Sequence, residues 1–147
     1  MILPNAEATD AAGRLLAPFL QSGDVIALSG DLGAGKTSFA RGVLAGLGFE
    51  GEAPSPSFAL VIPYAPPALR LSVWHVDLYR LDDAAQAEEL GLDDALCDSA
   101  LLIEWPERLG DRLWPNALKI MLDDDGEGGR RLTVSVPPSW ESRCPFR

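Results

Sequence analysis

Gly30-Asp31-Leu32-Gly33-Ala34-Gly35-Lys36-Thr37 carries the spacing of a phosphate-binding loop: glycine, four residues, then Gly-Lys-Thr. Glycines let the backbone curl until its N–H groups point inward at phosphate oxygens. Lys36 supplies a mobile cation for the outer phosphates, and the Thr37 hydroxyl suits one position on Mg²⁺. Such a loop alone binds; hydrolysis also needs a metal clamp and a positioned water. Two carboxylates end apolar runs where they could serve. Glu104 follows Ala100-Leu101-Leu102-Ile103, and Asp77 closes a run that contains His75. An ionised residue directly after four apolar ones needs a partner, so Glu104 is the more demanding of the two. Either could orient the water. His75 reads more simply as a packing histidine. Ser55 and Ser57 are either ordinary loop residues or hydroxyls that sense a terminal phosphate and its metal. Trp105 and Tyr79 fit packing or a partner surface equally.

The elements that must position these groups follow from the local pattern. Asp24-Val25-Ile26-Ala27-Leu28-Ser29 reads as a buried parallel strand entering the loop. The residues from Thr37 to Ala45 have helical spacing, with Phe39, Val43 and Leu44 on one side. A helix start adds its positive end to the phosphate site. Upstream, Asn5 or Thr9 caps a helix running to about Gln21, with Ala8, Ala11, Ala12, Leu15, Leu16 and Phe19 as its apolar side. Downstream, strands are expected over 58–62 and 69–76, a loop over 63–67 and a helix over 82–96 around Gly91. Ala100 to Ile103 is a second apolar strand. Residues 117–122 and 131–136 form a hairpin with a long polar tip. Antiparallel neighbours alongside the loop strand predict a mixed sheet with helices on both faces.

Twelve basic residues against 22 acidic ones leave a net charge of −10. Direct nucleic-acid binding is disfavoured, because phosphate neutralisation needs a basic face. Only Arg130, Arg131, Arg143 and Arg147 gather near the C-terminus. No apolar stretch approaches the length of a membrane span, and the N-terminal residues lack a signal-peptide pattern. Cys97 and Cys144 have neither zinc-site nor disulfide-framework spacing, which suits a reducing cytosol.

Beyond the loop, Ser55-Pro56-Ser57-Phe58, His75-Val76-Asp77-Leu78-Tyr79-Arg80-Leu81 and Ile103-Glu104-Trp105-Pro106-Glu107 occur in that order. Together they resemble the TsaE (YjeE) family, the bacterial ATPases of tRNA threonylcarbamoyladenosine biosynthesis, from about Pro4 to Arg131. The resemblance implies an α/β, single-domain P-loop NTPase-like fold over residues 1–147, with a mixed parallel and antiparallel sheet. It implies a cytoplasmic ATPase, weak alone, that uses ATP and Mg²⁺ and works with TsaD and TsaB, meeting tRNA only through that assembly. By motif, Asp31 through Ser38, including Leu32, Gly33, Ala34 and Gly35, would bind nucleotide. Thr37 and Glu104 would hold Mg²⁺, Lys36 the outer phosphates, and Asp77 would assist hydrolysis. Ser57 and Ser38 stand where the family usually has threonine; both keep the hydroxyl and lose a methyl. Gly129-Arg130 resembles a C-terminal Gly-Arg pair, which makes Arg130 a candidate nucleotide contact.

Two other functions share this scaffold. A small-molecule kinase would usually carry an arginine-rich lid, and none is apparent in the sequence. A nucleotide-gated binding module would recruit its partner without needing hydrolysis. Guanine specificity lacks support, because the sequence has no Asn-Lys-x-Asp run.

Overall fold

A computed structural model describes residues 1–57 and 60–146. Among these residues the strands are β1 (Ile2–Leu3), β2 (Val25–Ser29), β3 (Val61–Tyr64), β4 (Val73–Asp77), β5 (Ala100–Glu104), β6 (Leu118–Asp124) and β7 (Arg130–Ser135). They form one sheet in the order β1-β7-β6-β2-β5-β4-β3. The expected mixed sheet is present, with one correction. Both neighbours of β2, β5 and β6, are parallel to it, and β4 is parallel to β5. The antiparallel pairings lie at the margins: β7 with β6 and β1, and β3 with β4. A strand that leaves through a crossing helix needs parallel partners, whereas short connections make antiparallel ones.

Helix α1 (Ala6–Leu16) and helix α2 (Lys36–Gly46) cover one face. Helix α3 (Leu92–Ala95) and 3₁₀ turns at Ala84–Leu90 and Pro106–Arg112 cover the other. Ile26, Leu28, Ala100 and Leu102 point to the α1–α2 side, while Val25, Ala27, Leu101 and Ile103 point to the opposite side. Both faces are dry, which is why β2 and β5 read as unbroken apolar runs rather than alternating ones.

Asn5 is the cap of α1, its Oδ1 accepting from the Ala8 N–H at 2.8 Å. The helix ends at Leu16 and passes into a 3₁₀ turn at Ala17–Phe19. Its buried side is Thr9, Ala12, Gly13 and Leu16; of the expected apolar side Ala12 and Leu16 are buried, whereas Leu15 and Phe19 are exposed. Where α2 comes closest, only glycine fits. A Cβ on Gly13 would lie 2.2 Å from the Phe39 carbonyl, and one on Gly42 would lie 2.1 Å from that of Asp10.

Three further expectations change. The helix over 82–96 is a 3₁₀ turn and a short helix, split where Gly91 adopts φ 73°. The strand expected over 69–76 spans only Val73–Asp77. Pro63 and Tyr64 belong to β3 instead of a loop, and an edge strand tolerates the missing proline N–H. Phe58 and Ala59, the start of the strand expected over 58–62, lie outside the described residues, as does Arg147. The hairpin is β6 and β7, joined by Asp125 to Gly129.

Candidate active site

The loop between β2 and α2 turns on glycine. Gly30, Gly33 and Gly35 have φ of 144°, 77° and 101°, values that L side chains resist. At Gly30 a Cβ would also meet the Leu122 carbonyl at 2.5 Å. Gly35 caps α2, so Lys36 and Thr37 begin the helix at the mouth of the loop. Lys36 is buried, and its Nζ donates to the carbonyls of Gly30 at 2.5 Å and Asp31 at 2.8 Å. The ammonium also lies 4.3 Å from the centre of the Trp105 ring. Burial lowers its pKa, opposed by the charges of Glu104, Glu107, Asp77 and Asp31.

The carboxylates come from the ends of adjacent parallel strands. Asp77 of β4 pairs in register with Glu104 of β5, where open α/β sheets place their ligand crevice. His75, Asp77 and Glu104 share the sheet face that carries Val73 and Leu102, so all three turn toward α2. Glu104 is 3% exposed and has found its partners. The Thr37 hydroxyl donates to its Oε1 at 2.8 Å and Oε2 at 3.1 Å, and His75 Nε2 lies 2.6 Å from Oε2.

Asp77 is also buried. Its Oδ1 accepts from the Tyr79 N–H at 2.9 Å, and the Ser57 hydroxyl reaches Oδ2 at 3.5 Å. Burial pushes the Asp77 pKa up, with the Glu104 charge adding to the rise. The Tyr79 N–H, His75 and Ser57 pull it down. Ser57 and Ser55 share a hydrogen bond at 2.8 Å. Leu32, Gly33, Gly35, Lys36, Thr37, Ser38, Ser57, Asp77, Glu104 and Trp105 together line a cavity of about 220 Å³.

Arg130 reaches the same loop from behind. Its Nε donates to the Ala34 carbonyl at 3.1 Å and its Nη2 to that of Gly33 at 2.9 Å. Next to it is a cleft of about 150 Å³ that shares Gly33, Gly35 and Ser38 with the first cavity. Asn5, Thr9 and Gly129 form its far side.

The candidate residues from Asp31 to Ser38, with Ser57, Asp77, Glu104 and Arg130, thus meet around one loop. His75 is more than a packing residue, since it is fully buried against Glu104. The period-2 relation between His75 and Asp77 was the available signal. Trp105 has φ 61°, which directs its ring over Lys36, and Tyr79 packs on it with centroids 4.9 Å apart. No sequence pattern marks the left-handed turn at a tryptophan.

The donors fit Mg²⁺. A hydroxyl and a carboxylate converge, both hard oxygen ligands, and this ion commonly takes one or two carboxylates and keeps its waters. Among the described residues no group of three or more His, Cys, Asp or Glu side chains gathers as a transition-metal site would.

The family model described as "Threonylcarbamoyl adenosine biosynthesis protein TsaE" matches residues 3–132. The Bacillus subtilis tRNA threonylcarbamoyladenosine biosynthesis protein TsaE is 37% identical over 142 residues, covering 95% of this chain and 87% of that protein. The Streptomyces coelicolor protein of the same name is 38% identical over 128 residues, covering 84% and 86%. A crystal structure of Bacillus subtilis YdiB superposes with a TM-score of 0.82 at 32% identity, covering 97% of this chain and 88% of that one. The sheet order and loop are those of a P-loop NTPase-like fold, and the chain belongs to the TsaE family.

Proposed function

We propose that the chain is a Mg²⁺-dependent ATPase that supports threonylcarbamoyladenosine modification of tRNA. In this reading it acts in the cytoplasm with TsaD and TsaB and meets tRNA only through them. The observation that carries the chemistry is the convergence of Thr37 and Glu104 below a glycine loop, with Asp77 in register alongside.

In this reading the loop N–H groups and the start of α2 hold the phosphates. Lys36 leaves the Gly30 and Asp31 carbonyls to meet the terminal phosphate. Thr37 and Glu104 would hold Mg²⁺, which when bound neutralises charge on the phosphate oxygens. Asp77 orients a water toward the terminal phosphorus and can accept its proton, since burial leaves it more basic than an ordinary aspartate. His75 holds Glu104 at a fixed angle. Ser57 contacts Asp77 and the terminal phosphate. The cleft between Asn5, Thr9, Gly33 and Gly129 receives the nucleoside, with Arg130 bracing its floor.

What supports the tRNA-modification part of this reading is that TsaE relatives carry that process in their names. The test is calorimetry and phosphate release together, with TsaD and TsaB present. Lys36→Ala should abolish heats with Mg²⁺–ATP. Glu104→Ala should retain nucleotide binding yet lower turnover by about 10²-fold, the usual effect of losing one electrostatic stabiliser. Parental turnover in the Glu104 variant would remove the metal role.

A further inference from the structure

On the sheet face opposite α1 and α2, a groove of about 500 Å³ opens between α3 and the two 3₁₀ turns. Its walls leave the ends of β4 and β5, but it contains none of the phosphate-site residues. The floor is apolar: Ala87, Leu92 and Leu109 are at most 5% exposed to solvent. Trp114 forms one side, its indole N–H donating to Asp93 Oδ1 at 2.8 Å. Glu88, Asp93 and Asp94 stand on the rim against a single lining cation, Arg112. Arg112 is itself ion-paired to Glu88 across the opening, and both side chains are substantially exposed. Glu88 therefore already holds one guanidinium of its own chain.

We propose that this groove docks a basic segment of a partner protein. An arginine or lysine would lay its aliphatic stem along the half-buried Trp114 ring, with its head among the rim carboxylates. Charge decides among the possible occupants. The carboxylate rim repels nucleic-acid phosphates and anionic lipid, and a second copy of a chain with net charge −10 is repelled too. A free cation would leave the half-buried Trp114 ring uncovered. A side chain with an apolar stem and a cationic head meets both the ring and the rim.

The inference is independent of the nucleotide reading. The ¹⁵N-labelled chain is titrated with acetyl-Gly-Arg-Leu-Arg-Gly-amide, its glutamate counterpart, and spermidine. The arginine peptide should give saturable shifts of the Trp114 indole N–H and the Leu92, Asp94 and Leu109 amides. The glutamate peptide should give none. Asp93→Asn with Asp94→Lys keeps an acceptor for Trp114 and should weaken the arginine peptide at least tenfold, leaving Mg²⁺–ATP affinity unchanged. Arg112→Gln, which releases Glu88, should tighten it. Equal binding of both peptides, shifts confined to other surfaces, or no effect of the double variant would overturn the proposal. So would spermidine binding as tightly as the peptide. Concentration-dependent shifts of the same amides without peptide would assign the groove to a second copy.

Discussion

A carboxylate kept dry beside another carboxylate is a stability cost that the proposed hydrolytic role of Asp77 would explain. The Asp77 pKa is raised, so the folded chain binds more protons than the unfolded one between the ordinary aspartate value and the raised one. Stability therefore falls as pH rises through that window, and the cost is fully present above it. Asp77→Asn should show a higher urea midpoint than the parent at pH 7, with the gap closing as pH falls. Its ATP turnover should drop by about 10²-fold or more, the scale of a lost general base. An unchanged midpoint together with unchanged turnover would deny the residue both roles. Lys36 carries the opposite sign: its lowered pKa makes stability rise as pH climbs toward the unfolded lysine value.

Helices α1 and α2 meet backbone to backbone, and that contact holds the loop. The α1 cap, Asn5, and buried Thr9 border the cleft beside Gly33 and Gly35, so the α1–α2 distance sets the width of that cleft. Gly42→Ala gains helix propensity but drives a methyl against the Asp10 carbonyl. Overpacking of this kind costs about 1–3 kcal/mol, so denaturant unfolding should show a net loss of that order. Nucleotide affinity should weaken with it as the helices separate. The stop of α2 is equally local: the Phe49 N–H bonds the Leu44 carbonyl at 3.0 Å while Gly48 takes φ 112°.

At the scale of the molecule, charge is spent internally. Arg143 bonds both oxygens of Asp24 at 2.7 Å and stacks on Trp140. Arg130 bonds the phosphate loop, and Arg131 lies opposite Asp123 in the β6–β7 ladder. Among the described residues the C-terminal arginines Arg130, Arg131 and Arg143 thus make no continuous basic patch. No helix among the described residues is long and apolar enough to cross a membrane. The isolated chain should bind tRNA more weakly than about 10⁻⁴ M at physiological salt, the weak end of non-specific binding. A filter-binding measurement in the micromolar range would contradict this view of an indirect tRNA contact.

The phosphate loop, the strand before it and the helix after it were legible in the sequence, because a glycine pattern and apolar periodicity act over a few neighbouring residues. Glu104 was legible too, as a charge that four apolar residues leave in need of a partner. The partner itself was not. Strand order brought His75 and Thr37 to Glu104 from positions 29 and 67 residues away along the chain. The break at Gly91, the buried side of α1 and the turn at Trp105 likewise depend on what packs against them. Local spacing specifies which groups can do chemistry; long-range pairing determines which of them meet.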